Sequence, residues 1–177
     1  MIALVRHPAL VGTVGLCYGR RDFPWAAPER DIPLILAQLR HLSAPTVYSS
    51  PSPRCARLAA RLSGDICFDP RLLELDFGAW EGCAWETIPR SALDDWAADP
   101  WHFAPPGGES GAALVERVRA FAADRLAPDG VHIVISHGGP LKVLSRLLRG
   151  EAIDLMVAAP PLGSVAFITP SDRSGET

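Results

Sequence analysis

Cationic and nucleophilic side chains stand where short apolar runs give way to turns. They are Arg6-His7, Arg54 and Ser136-His137. Imidazole is a competent nucleophile toward phosphorus, and guanidinium binds a tetrahedral oxyanion through a planar fork. Gathered in one place, Arg6, Arg54, His7 and a protonated His137 would bind a phosphoryl group and accept it. The leaving oxygen would then need a proton. Glu74, in Leu73-Glu74-Leu75-Asp76-Phe77-Gly78, is the candidate acid, and that role requires a carboxyl pKa raised by burial. Glu81 is the alternative acid in the same segment. Arg20 is open between contacting phosphate and stabilising its loop. Glu109 either caps a helix or supports the site indirectly, and the structural role is preferred.

No metal or other cofactor is expected. The histidines lack ligand spacing, and no two of Cys17, Cys55, Cys67 and Cys83 form C-x-x-C. The cysteines read as free, mostly buried thiols.

The elements that must position these groups follow from hydrophobic periodicity. Ile2 to Val5, Thr46 to Tyr48, Ile66 to Phe68, Val131 to Ile135 and Val165 to Ile168 read as strands. Helices are expected over Pro28 to Leu42, with Ile32, Leu36 and Leu39 on one face, over Arg54 to Leu62, and over Pro140 to Leu148. A long helix is expected to carry Leu114, Val118, Phe121 and Leu126. Gly12, Gly15 and Gly19 mark a loop before Arg20-Arg21. The stretch from Asp69 to Gly108 holds Trp80, Trp85, Trp96 and Trp101. It reads as a covering excursion over one end of the sheet, helical from Trp85 to Ala98, its rings more core than ligand box. Ser171 to Thr177 reads as a polar tail.

Strands alternating with helices imply a single-domain, three-layer α/β/α architecture over residues 1–177 with a mainly parallel central sheet and a helical covering segment at about 76–108. Ligands in such sheets bind beyond the carboxyl ends of the strands. The three cationic junctions are therefore expected to converge on one cleft, with helix N-termini adding free N–H groups.

Composition narrows the class. The 177 residues are 48% hydrophobic and 21% charged, with a formal net charge of −3. That composition suits a globular chain and argues against wholesale disorder. No basic run is present, which argues against nucleic-acid binding. No apolar run approaches the length of a membrane span, and Arg6-His7-Pro8 interrupts the first one, so no signal peptide is expected and the cytoplasm is the expected location.

Five segments together resemble the histidine phosphatase superfamily, also called phosphoglycerate-mutase-like. They are Leu4-Val5-Arg6-His7, Ser49-Ser50-Pro51-Ser52-Pro53-Arg54-Cys55, Leu73 to Gly82, Pro106-Gly107-Gly108-Glu109-Ser110 and Ser136-His137-Gly138-Gly139. They occur in the family's order and span most of the chain. The resemblance implies that His7 is phosphorylated during turnover, that Arg6, Arg54 and His137 hold the phosphoryl group, and that Glu74 is the proton donor. Glu81 would match a supporting Glu-Gly pair. Within the superfamily, Leu16 to Asp22 and Asp76 to Gly82 are most similar to α-ribazole phosphatase-like proteins of cobalamin synthesis. The chain departs from the family after His7. Pro8 stands where glycine is usual, which removes a backbone N–H, and Ala9-Leu10 replaces the usual Glu-Thr or Glu-Ser.

The expected activity is a phosphomonoesterase of small phosphate esters, with α-ribazole phosphate as the first candidate, acting as a monomer or homodimer. A broad small-molecule phosphatase and a phosphoglycerate-mutase-like enzyme are alternatives. A phosphatase of protein side chains and a non-catalytic phospho-ligand binder rank lower.

Overall fold

A computed structural model describes residues 1–169. The expected tail from Ser171 lies outside the described residues. The elements run β1 (Ile2–Arg6), α1 (Pro28–Leu39), β2 (Thr46–Ser49), α2 (Pro53–Ala59), β3 (Ile66–Phe68), α3 (Arg90–Ala98), α4 (Gly111–Arg125), β4 (His132–Ser136), α5 (Gly138–Arg149) and β5 (Val165–Ile168). The strands form one sheet in the order β3-β2-β4-β1-β5. β1 to β4 pair in parallel, and β5 closes one edge antiparallel to β1. This is the expected α/β fold with a mainly parallel sheet.

The period of two along each strand divides the core. Ile2 and Leu4 of β1 and Val134 of β4 point into a cluster with Leu114, Val118 and Phe121 of α4 and Leu141 and Leu144 of α5. Ala3, Val5, Ile133 and Ile135 point the other way, against Ile32, Ile35 and Leu39 of α1 and Cys55 and Leu58 of α2. Both faces of β1 and β4 are thus covered by helices, which explains their unbroken apolar runs.

The chain leaves β1 toward α1 on one face and leaves β4 toward α5 on the other. β1 and β4 are neighbours, so their connections diverge at a topological switch point. A crevice is expected there beyond the carboxyl ends of both strands.

Several details differ from expectation. α1 stops at Leu39 and α2 at Ala59, each about one turn short. The buried stripe of α1 uses Ile35, and Leu36 lies at its rim. The segment from Trp85 to Ala98 is not one helix. A 3-10 turn at Trp85–Thr87 is separated from α3 because Ile88, preceding Pro89, is extended (ψ 132°). Cys17 and Cys55 are buried, but Cys67 is exposed and Cys83 intermediate, so only half of the thiols are core. Among the described residues no helix is long and apolar enough to cross a membrane.

Candidate active site

The parallel register that pairs Arg6 with Ser136 carries His7 to the side of His137. Their ring centroids are 5.2 Å apart, and both rings are buried. His7 Nδ1 lies 2.8 Å from the carbonyl oxygen of Pro8. A carbonyl only accepts, so Nδ1 carries the proton and Nε2 keeps its lone pair. The proline after His7 removes an N–H, but the group used here is its carbonyl, which proline retains.

Arg54 begins α2 and is fully buried. Its Nε–H faces both imidazoles, 3.3 Å from His7 Nε2 and 3.2 Å from His137 Nδ1. His137 Nδ1 is therefore an acceptor. Its Nε2–H donates to Ser50 Oγ at 2.8 Å. Burial, then the Arg54 charge, lowers the His7 pKa to about 3 despite the Pro8 bond. The same two causes, with His7 itself, hold His137 well below the ordinary range. The expected protonated His137 is opposed by burial and then by its cationic neighbours, and its Nδ1 accepts from Arg54.

The remaining donors of Arg54 are tethered. They bond to the Gly19 carbonyl, to the Arg21 carbonyl at 2.9 Å and to Asp22 Oδ1 at 3.3 Å. Asp22 also accepts from the Arg54 backbone N–H at 3.2 Å and from Arg57 at 3.3 Å. The Gly-rich stretch therefore ends as a clamp on Arg54. Arg6 donates to the Pro160 carbonyl, while its buried Nε–H has no partner among the described residues. An unpaired buried donor of this kind is suited to an anion.

Arg6 packs against Gly138 and Glu74 against Gly139, so the two flank the first turn of α5. The Glu74 carboxylate accepts from Leu75 N at 2.9 Å and from Gly139 N at 3.1 Å. A Cβ at Gly139 would overlap that carboxylate. Arg6 and Glu74 open into one cleft of about 290 Å³, together with Phe77, Trp96, Lys142 and Leu155. A larger hollow of about 430 Å³ near Leu36, Val47 and Leu62 holds none of the groups named above.

Two sequence candidates lie elsewhere. Glu81 accepts backbone N–H groups from Gly19, Arg20, Arg21 and Phe77 at 2.9 to 3.1 Å. Its carboxylate is saturated in tying the Gly-rich loop to the covering segment. Arg20 pairs with Asp76 at 3.3 Å and Glu109 at 3.8 Å, so the structure gives it the loop-stabilising alternative. Ser110, not Glu109, caps α4. Most of the tryptophan rings pack on one another: Trp85 stacks on Trp96, and Trp80 on Phe103. Among the described residues no group of three His, Cys, Asp or Glu is arranged to hold a metal ion.

Sequence reading missed Ser50, Asp22, Arg117 and Lys142. Lys142 had a usable signal, since it follows Gly138 and Gly139 by one helical turn and so shares their face. Burial lowers its pKa, and it donates to the Leu155 carbonyl and to the Val157 carbonyl at 3.3 Å. Asp22 lies in the quoted Leu16 to Asp22 segment but meets Arg54 only through the fold, as Arg117 of α4 meets the carbonyls of residues 71, 73 and 74.

Comparison with known proteins bears on family and fold. The histidine phosphatase superfamily (branch 1) matches residues 2–174. A phosphoglycerate mutase structure from Thermus thermophilus is 30% identical, with a TM-score of 0.72, covering 93% of this chain and 90% of that one. A putative alpha-ribazole-5'-P phosphatase from Escherichia coli is 26% identical, with a TM-score of 0.75, over 85% of this chain and 80% of that one. A bifunctional protein of Mycobacterium tuberculosis is 40% identical over 114 residues, 57% of this chain. The match spans only 30% of that protein's length.

Proposed function

The chain belongs to the histidine phosphatase superfamily (branch 1), and from that premise we propose that it is a phosphomonoesterase working through a phosphorylated His7. One observation carries the reading: His7 Nδ1–H is committed to Pro8 O at 2.8 Å, and Nε2 is left with its lone pair beside Arg54. The lowered pKa keeps that lone pair unprotonated at neutral pH, and Arg54 Nε–H, which it accepts from at 3.3 Å, must release it for attack.

In the first step Nε2 attacks phosphorus and the bond to the ester oxygen breaks. Glu74 gives its proton to the leaving oxygen. The ring gains positive charge as the P–N bond forms, and the Pro8 carbonyl stabilises Nδ1–H. Arg6 holds an equatorial oxygen with its open Nε–H, and the Arg54 Nε–H and His137 Nε2–H exchange their present partners, the imidazoles and Ser50, for the others. In the second step the Glu74 carboxylate takes a proton from water. Water attacks phosphorus, the P–N bond breaks, and inorganic phosphate leaves. Both residues return to their starting states.

The whole chain acts as one histidine phosphatase domain, with residues 76–108 as its cover. The substrate is a small phosphate ester, and α-ribazole phosphate is the preferred candidate. Its flat base suits a cleft edged by Phe77 and Trp96 and walled by Leu75, Leu114 and Leu155. The likeness to the Escherichia coli protein supports the same choice. The likeness to the Thermus thermophilus protein favours a second reading, phosphoglycerate mutase activity. The apolar cleft wall opposes it, because burying a small, fully charged acid against leucines is costly.

The test is phosphate release from α-ribazole phosphate against a panel of sugar phosphates, nucleotides and phosphoglycerates, with trapping of labelled phosphate on His7. Strong preference for α-ribazole phosphate supports the assignment. Activity spread over the panel removes it but leaves the phospho-histidine chemistry. Isomerised phosphoglycerate without phosphate release selects the second reading. Turnover near wild type by His7→Ala overturns the mechanism.

A further inference from the structure

The backbone that carries Glu74 belongs to no helix or strand, from Leu73 through Phe77. Its carbonyls have no ladder partners and must find donors elsewhere. Arg117 supplies them at Leu73 and Glu74, and the backbone N–H groups of Glu109 and Trp80 supply them at Asp76 and Phe77. Ser136 Oγ donates to the Leu72 carbonyl at 2.6 Å. Arg117, on α4, donates to the carbonyls of Arg71 and Leu73 at 2.7 Å each, and of Glu74 at 3.2 Å. Its Nε and Nη2 also meet the Glu109 carboxylate at 2.6 and 2.8 Å. Glu109 in turn accepts from Asp76 N at 3.4 Å, and its own N–H donates to the Asp76 carbonyl at 2.9 Å. The pair therefore grips the chain on both sides of Glu74. Both side chains are largely buried, at 16% and 12% exposure.

We propose that the Arg117–Glu109 pair is the positioning device for Glu74, setting the reach of its carboxylate to the leaving oxygen. The inference rests on Glu74 being the proton donor. Proton transfer is steep in geometry, and a displacement of about 1 Å costs roughly 10²-fold in rate. Only arginine supplies a planar fork that spans three carbonyls and a carboxylate; a lysine ammonium supplies fewer donors from one point.

Leaving-group dependence separates positioning from mere support of the fold. An aryl phosphate such as p-nitrophenyl phosphate departs as a stabilised anion and needs little protonation. An alkyl phosphate such as 2-phenylethyl phosphate needs the acid. The full-length protein is assayed as wild type, Glu74→Gln, Arg117→Met and Arg117→Lys on both esters, with rates normalised to folded protein. Arg117→Met is expected to slow the alkyl ester by about 10²-fold and the aryl ester several-fold less, in the same pattern as Glu74→Gln. Arg117→Lys is expected to fall between wild type and Arg117→Met, and it carries the test if Arg117→Met does not fold. Equal losses on the two esters in the Arg117 variants, with Glu74→Gln still discriminating, overturn the positioning role alone. A Glu74→Gln enzyme that does not discriminate overturns the acid role of Glu74, and the inference with it.

Discussion

Arg54 Nε stands between the two site histidines, 3.3 Å from His7 Nε2 and 3.2 Å from His137 Nδ1. One N–H thus orders two imidazoles from strands that are far apart in sequence. After burial, the Arg54 charge is the second cause that pushes both pKa values down, because a fixed cation beside a buried imidazole opposes a second charge.

The clamp on Arg54 is testable at Asp22. Asp22→Asn removes a charged acceptor from a buried guanidinium, and hydrogen bonds to charged groups are worth about 2 kcal/mol. Stability is expected to fall by about that amount, and competitive inhibition by inorganic phosphate to weaken roughly tenfold. Urea unfolding and inhibition assays check the two. An unchanged inhibition constant would mean that the tether does not orient the guanidinium.

The two glutamates separate by kind of defect. Glu74→Gln is expected to lower kcat by about 10² to 10⁴, the usual range for a lost general acid, with little change in melting temperature. Glu81→Gln weakens a carboxylate that accepts four backbone N–H groups. Its expected defect is about 1 to 2 kcal/mol of stability. Thermal melts paired with kcat would reverse the assignment if Glu81→Gln were the variant that lost turnover in a fully folded state.

The pH dependence of stability has a definite sign. His7 in the folded protein lies at about 3, below its ordinary value of 6.5, and His137 shifts in the same direction. Below pH 6.5 the unfolded chain therefore binds protons that the folded chain refuses. The stability held above that pH is lost as pH falls toward 3, with a limiting slope of about 1.4 kcal/mol per pH unit for each histidine. Urea midpoints between pH 7 and 4.5 should fall accordingly, and His7→Asn should flatten the curve. A slope unaffected by His7→Asn would mean that His7 protonates in the native state.

The aromatic edge of the cleft predicts selectivity. Trp96 stacks on Trp85 and lines the cleft. If it also holds a flat base, Trp96→Ala lowers kcat/KM for α-ribazole phosphate several-fold more than for phosphoserine. That difference corresponds to about 1 kcal/mol of aromatic packing. Equal losses on both esters would assign Trp96 to the cover alone.

Sequence by itself carried the fold class, because apolar runs bounded by turns leave few alternatives to a mainly parallel sheet between helices. It also singled out Arg6, His7, Arg54 and His137 as candidates, since strand ends followed by turns are where such sheets present side chains, and Glu74 in the irregular segment after β3. Helix ends were misjudged by about a turn, because Leu42 and Leu62 continue the apolar pattern after the backbone has left the helix. The family resemblance ranks Glu74 above Glu81, but both lie in one acidic segment, so spacing alone leaves Glu81 as an alternative. Tertiary structure separates their contacts through distant groups: Gly139 N–H meets Glu74, while the backbone of residues 19–21 consumes Glu81. The roles of Asp22 and Arg117 arise the same way. Local periodicity is written in neighbouring residues, but a buried charge takes its state from partners that only the folded chain brings within hydrogen-bond distance.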